Sequence, residues 1–199
     1  VMDRLSWRLG ANWRALDQLT FRASAGSAFT PPDAYKFSGR YRNMGTNYIG
    51  NPNLKPESGV TLEGGADFEW QGLAFSATVF HTATQDAVTT ASTTVGGVSG
   101  WQTWVNSDGR LLTGVEGFVR YAKDFAVGSH TLTVTPSLNW IWYLQRTEQD
   151  SVLTNARGTD TVLGLSQYSV TPGLQLAWNS RVRLDLTAEW QGPQKNFDW

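Results

Sequence analysis

The chain has 199 residues, with 16 Lys and Arg against 17 Asp and Glu, 2 His, 10 Trp and no cysteine. The near-zero net charge lacks the basic face of a nucleic-acid binder, and the absent cysteine removes disulfides, thiolate metal sites and a cysteine nucleophile together. Only 17% of residues are charged, against roughly 25% in ordinary soluble domains, yet the mean hydropathy is −0.33: polar, weakly charged and aromatic, an odd balance for a soluble enzyme.

Apolar residues recur at every second position along most of the chain, the mark of half-buried strands. The first run sets Leu5, Trp7, Leu9, Ala11 and Trp13 against Ser6, Arg8, Gly10 and Asn12. The second has Leu19, Phe21, Ala23 and Ala25; the third Val60, Leu62, Ala66, Phe68 and Trp70; the fourth Leu73, Phe75, Ala77 and Val79. A fifth, with Val115, Val119 and Tyr121, places Phe118 in the polar phase. The sixth runs through Leu132, Val134, Leu138, Trp140 and Trp142, and the seventh through Val170, Leu174, Leu176 and Trp178. The eighth carries Val182, Leu184, Leu186, Ala188 and Trp190. Pro136 and Pro172 fall in the apolar phase of two of these strands and predict bulges or shifted boundaries, because proline removes a ladder donor.

The strands are about 9–11 residues long, enough to cross a bilayer when tilted. Their connections alternate: 14–18, 71–72, 122–129 and 179–181 are short, whereas 26–59, 85–110 and 145–160 are long and rich in Pro, Asn, Gly and Ser. Loops sorted by end describe an outer-membrane barrel. Trp13, Trp70, Tyr121 and Trp178 each close the apolar phase before a short turn, as an interfacial girdle requires, and Trp142 and Trp190 are candidates for the opposite girdle. No run of 18 apolar residues predicts a membrane helix, and the opening VMDRLSWRLG lacks the basic and apolar regions of a signal peptide.

The inward phase is small and polar, with Gly10, Thr20, Ser24, Gly65, Thr131, Thr133, Ser137 and Thr171. That suits the wide interior of a large barrel better than a side-chain-filled one, and the abrupt start and the Gly192-Pro193 break before Trp199 suit a section of a longer chain. The expected fold is all-β, an antiparallel up-and-down transmembrane barrel, with residues 1–199 supplying about eight strands. The alternatives are a self-contained eight-stranded outer-membrane barrel acting as adhesin or lipid enzyme, and a soluble Trp-rich β-domain that binds carbohydrate.

A family resemblance rests on four stretches. The segment Arg22-Ala-Ser24-Ala-Gly26-Ser-Ala-Phe29-Thr30-Pro31-Pro32 resembles the R-x-S-x-G-x-x-F-R-x-P strand of TonB-dependent receptors, with Thr30 where Arg is common. Asn51-Pro-Asn-Leu-Lys-Pro-Glu57 is similar to that family's N-P-x-L-K-P-E segment, and a strand carrying Glu63 follows it. Phe80 to Asp86 resembles the F-x-x-x-x-x-D hairpin end, and Gly114-Val115-Glu116 the G-x-E strand opening. Order and spacing carry the likeness over residues 5–121. It implies an outer-membrane barrel of 22 strands in Gram-negative bacteria, closed by a plug domain and energised through the TonB complex. The implied activity is uptake of a ferric siderophore or similar scarce nutrient; the implied partners are outer-membrane lipid, the plug and that ligand.

No catalytic constellation stands out: the acids Glu63, Asp67, Glu69, Asp185 and Glu189 lie on the polar phase, where ion pairs with Arg22, Arg120 and Arg183 inside the lumen account for them. His81 and His130 have no second ligand at a metal-binding spacing, so neither metal nor cofactor is expected, and the chain reads as no enzyme. The connection 26–59 is the candidate substrate site. Its Tyr35, Phe37, Arg40, Tyr41, Arg42 and Tyr48 offer guanidinium and ring faces to an anionic, aromatic chelate; the competing reading is a loop folded on its own aromatics or resting on the plug.

Overall fold

The computed structural model describes residues 5–149, 159–179 and 181–195. Trp199, the middle of the long connection 145–160 and Ser180 of the turn 179–181 lie outside the described residues. In chain order the elements are β1 (Arg8–Leu16), β2 (Leu19–Thr30), α1 (Ala34–Ser38), β3 (Arg40–Asn43), β4 (Thr46–Ile49), β5 (Glu57–Trp70), β6 (Leu73–Gln85) and β7 (Ala87–Val95). There follow β8 (Val98–Ser107), β9 (Arg110–Tyr121), β10 (Lys123–Val127), β11 (His130–Glu148), β12 (Tyr168–Trp178), β13 (Val182–Thr187) and β14 (Trp190–Gln191).

The main sheet has 10 strands, ordered β1-β2-β5-β6-β9-β11-β12-β13, with β10 prolonging β9 along β11 and β14 prolonging β13 along β12. Every pairing within it is antiparallel. These are the eight expected staves, in an up-and-down order, and among the described residues the outer staves β1 and β13 do not pair with each other. The turn between β5 and β6 holds Gln71 at φ 46 and Gly72 at φ 86, the two positive values of a type I′ hairpin. A side chain at Gly72 would also strike the carbonyl of Ala122 on the next stave.

Burial is inverted relative to a soluble domain. Among the described residues only Leu54, Ala74 and Val162 form a buried apolar set, whereas Leu9, Trp13, Leu62, Trp70, Val79, Trp142, Val182, Leu184 and Trp190 are exposed. Partners in a ladder share a face, so the registers collect these exposed side chains, with Phe21, Phe68, Phe75, Val119, Leu176 and Trp178, on one surface. The opposite surface carries Arg22, Glu63, Asp67, Ser76, Thr78, Glu116, Thr133, Asn139 and Gln175, and its Ser76 and Thr78 are buried. An apolar outside and a polar inside is the alternation of a membrane barrel. Phe118 does lie on the inner surface, between Ser76 and Asn139.

The registers also level the aromatic girdle. The row through Trp13 and Phe21 crosses β5 at Ala66, four residues short of Trp70. The row through Trp70 and Leu73 reaches Tyr121 directly, while the row through Trp178 and Leu132 meets Phe125, four residues beyond Tyr121. Rows run at right angles to strands. Eight residues of drift over the six spacings from β1 to β12, at about 3.3 Å per residue and about 4.8 Å per strand, are levelled by a tilt of about 40°. That is the tilt of membrane barrels. At the other end Trp142 packs on Tyr168, ring centroids 5.2 Å apart.

Both prolines sit where a neighbouring strand is interrupted. Pro136 pairs with Leu174 on one side; on the other, β11 changes partner from β10 to β9. Pro172 pairs with Leu138, and opposite its other edge β13 gives way to β14 across Ala188 and Glu189. The eighth stave is therefore broken where a continuous run was expected. The connection 122–129 is mostly strand: Phe125 and Val127 continue the outward phase against Leu132 and His130, leaving Gly128 and Ser129 as the turn.

Candidate functional site

The two long connections 26–59 and 85–110, expected as irregular loops, build a second sheet of 4 strands ordered β3-β4-β8-β7. Two hairpins supply it, β3–β4 and β7–β8. They join through a parallel pairing of β4 with β8 at Asn47↔Trp101, Tyr48↔Gln102 and Ile49↔Thr103. In front of β3, Asp33 caps α1 by accepting a hydrogen bond from the Lys36 backbone N–H at 2.8 Å, the usual end for an orphan helix donor. That bond holds the Asp33 carboxyl below its ordinary pKa.

The six candidate residues divide between the faces of this sheet. On one face Tyr41 stacks on Tyr48 with centroids 5.0 Å apart, Tyr48 on Trp104 at 6.1 Å, and Tyr35 of α1 meets Tyr41 edge-on at 5.9 Å. Lys36 lies 5.4 Å over the Trp104 ring. The Trp104 Nε1–H is buried without a hydrogen-bond partner among the described residues, so ring contacts alone hold the indole. Phe37, on α1, is half-buried. On the other face the row Arg42–Asn47–Trp101 carries Arg40 beside it, its guanidinium 4.7 Å above the Trp101 ring. Neither Arg40 nor Arg42 has a carboxylate partner among the described residues. This second face sets two guanidinium groups, with no carboxylate among the described residues to neutralise them, beside an indole, an arrangement suited to delocalised anions.

The segment Asn51–Glu57 fastens this layer to the barrel. Leu54, 3% exposed, is the deepest apolar side chain among the described residues. The Asn51 side chain accepts from Asn53 N–H and donates to the Trp104 carbonyl, both at 2.9 Å. Asn106 of β8 answers: its Oδ1 accepts from Lys55 N–H at 2.8 Å, and its Nδ2 donates to the carbonyls of Lys55 at 2.9 Å and Asp86 at 2.8 Å. Glu57 then accepts from Val88 N–H at 2.8 Å.

On the inner wall Arg22, Gly65 and Thr78 share one row. Because Gly65 has no side chain, the Arg22 guanidinium passes over it, donating to Ser76 Oγ at 2.9 Å, Thr78 Oγ1 at 2.6 Å and Asp67 at 3.0 Å. The expected lumen pairs thus form at Arg22–Asp67 and at Arg183–Asp185. The other expected acids take hydroxyl or amide partners or none among the described residues. Glu63 stands between Ser24 and Phe80 and accepts from Ser24 at 2.8 Å; Glu189 accepts from Ser169 and Gln191. Glu69 and Arg120 are separated by Ala74 and have no ion-pair partner among the described residues. At the loop end an open cleft of about 610 Å³ is lined by Arg8, Ser24, Glu57, Glu63 and Arg110, and Arg110 donates to the buried Glu148 at 3.0 Å. His81 bonds Thr113 at 2.8 Å and His130 bonds Asn179 at 2.8 Å.

Sequence reasoning missed Trp101, Trp104, Lys36 and Asn106. The two tryptophans sit in an uncharged stretch whose pairing with residues 47–49 is parallel and distant in sequence, and no local period announces such a contact.

The family model for the TonB-dependent receptor-like β-barrel matches residues 2–199. The chain belongs to that family. Among solved structures it is similar to a mutant of the ferric enterobactin receptor PfeA from Pseudomonas aeruginosa, at 21% identity and a TM-score of 0.69 over 96% of this chain and 28% of that one. It is similar also to the siderophore receptor PirA from Pseudomonas aeruginosa, at 18% identity and a TM-score of 0.63 over 94% of this chain and 33% of that one. The copper transporter OprC matches at 18% identity and a TM-score of 0.53, over 84% of this chain and 23% of that one. The chain therefore spans about a third or less of the length of these structures. None of the curated proteins matches it.

Proposed function

We propose that this barrel section belongs to an outer-membrane receptor that takes up a ferric siderophore by TonB-dependent transport, with a plug domain in the lumen. The observation that carries the reading is the guanidinium pair of Arg40 and Arg42, without carboxylate partners among the described residues, beside Trp101 on the loop sheet. A ferric catecholate is anionic and aromatic, and planar guanidinium groups bind such a surface by ion pairing and stacking. Family membership and the enterobactin and siderophore receptors among its structural relatives support the same reading. Tyr41 and Tyr48 back that surface from the opposite face of the sheet, where the exposed ring of Tyr35 packs on Tyr41; Phe37 lies beside them on α1. A polar, buried inner wall around Ser76 and Thr78 suits a plug or a hydrated path.

The test is iron uptake by the full receptor, expressed in cells lacking other ferric-catecholate receptors. Energised uptake should fall at least tenfold in Arg40→Ala/Arg42→Ala, with normal amounts of folded barrel. Uptake that persists unchanged in the double variant removes the loop site. No energised uptake of any ferric catecholate by the parent receptor removes the substrate class.

A further inference from the structure

We propose that the two long connections act as one rigid body fixed to the barrel rim, a preformed docking wall in place of two independent flaps. Within the layer, the connections share the parallel β4–β8 pairing. Across that seam Thr103 Oγ1 donates to the Ile49 carbonyl at 3.0 Å and Asn51 Nδ2 to the Trp104 carbonyl at 2.9 Å. Side chains stack across the seam on both faces, the Tyr48 ring on Trp104 and the Arg40 guanidinium on Trp101. Separating the connections would break backbone, side-chain and aromatic contacts at once.

The layer is equally tied to its base. Asn106 grips both backbone groups of Lys55 and the carbonyl of Asp86, Glu57 holds Val88, and Leu54 fills the joint. The points where the chain leaves and re-enters the wall are tight: Pro31 and Pro32 restrict φ on the way into α1, and Gly109 is buried with Thr84 against it. A ligand surface held this way loses little conformational entropy on binding.

Pulsed electron spin resonance on the whole receptor in native membranes tests this without any ligand, so its outcome does not depend on what the receptor transports. Asn43 and Thr94 are exposed on the two outer strands of the layer, next to the row Arg42–Asn47–Trp101–Thr93. Their backbones are therefore three strand spacings, about 14 Å, apart. Spin labels at Asn43→Cys and Thr94→Cys should give one narrow distance distribution. A second pair, Thr94→Cys with Val79→Cys on the outer face of β6, should be equally narrow. A broad or double distribution in the first pair overturns the single body; a narrow first pair with a broad second overturns its fixation to the rim. Hydrogen exchange on the unlabelled receptor gives an independent reading. Residues 47–51 and 101–106 should exchange together and slowly, and exchange that is fast in one stretch and slow in the other overturns the proposal.

Discussion

Asn106→Ala tests the attachment of the loop layer most directly. The Asn106 amide makes three hydrogen bonds to backbone groups of two other segments, at 2.8, 2.9 and 2.8 Å. A net bond of this kind contributes about 0.5–1.5 kcal/mol. Water reaches the Lys55 side, whose side chain is 69% exposed, and replaces part of what is lost. Taking the low end of the range for all three bonds, the local cost is about 1.5 kcal/mol, or roughly a tenfold rise in the opening of the 51–57 joint. The barrel below should be untouched, because opening of a surface segment is sub-global.

Amide exchange of the folded receptor in detergent reads this directly. Residues 51–57 and 86–88 should lose about tenfold in protection, while β5 and β6 below Thr61 keep theirs. Asn106→Asp keeps the acceptor for Lys55 N–H but sets a carboxylate oxygen against the carbonyls of Lys55 and Asp86, so it should lose at least as much protection. Unchanged protection at 51–57 in Asn106→Ala would refute the clamp, and equal losses throughout β5 and β6 would show that Asn106 supports the barrel instead.

Three further outcomes follow from the same geometry. Gly117→Val should block barrel folding, because a side chain there meets the Ser76 carbonyl and the Trp140 ring at 2.6 Å; Gly64→Ala, with open space around it, should fold normally, as gel mobility of unheated samples will report. Val79→Arg, on the outer face, should cost about 2–4 kcal/mol of folding into lipid vesicles, while Thr82→Arg on the inner face costs little; equal effects would reverse the assignment of faces. Asp33 binds its proton less readily in the folded layer, chiefly through the Lys36 N–H bond. Its contribution to α1 is therefore present above the ordinary carboxylate pKa and lost as pH falls through the lowered folded value. Exchange at Lys36 should accelerate in that acid range, and Asp33→Asn should remove the pH dependence.

The staves were legible because a membrane barrel writes its two environments into alternate residues. From Leu5 to Trp13 or from Leu132 to Trp142, lipid on one side and water on the other enforce the period of two, and a one-residue slip would bury charge in lipid. Prolines 136 and 172 were legible as interruptions but not as to whose strand yields, since the break falls on the partner. The loop layer obeys no such rule. Both of its faces meet protein or water, so β7 and β8 show no sustained alternation. The partner that joins β8 to the other connection, β4, lies some 50 residues away in sequence, as Asn47↔Trp101 illustrates. The six candidate residues could be collected by type and proximity, but composition holds no information about which side of a sheet Tyr41 and Arg42 will take.

The segment Asn51–Glu57 joins these two levels. In sequence it stands out only by likeness to other chains; in three dimensions each of its polar and apolar residues has a definite task. Asn51 folds the turn onto Asn53 and reaches Trp104, Leu54 fills the joint, Lys55 presents its backbone to Asn106, and Glu57 opens β5 while capping Val88. A barrel wall is fixed by lipid, but a loop layer above it has no lipid to orient it and must be held by directional bonds. The motif lies where the wall becomes the layer, and that position explains its chemistry: side-chain amides and a carboxylate, which satisfy irregular backbone, around one leucine that keeps water out.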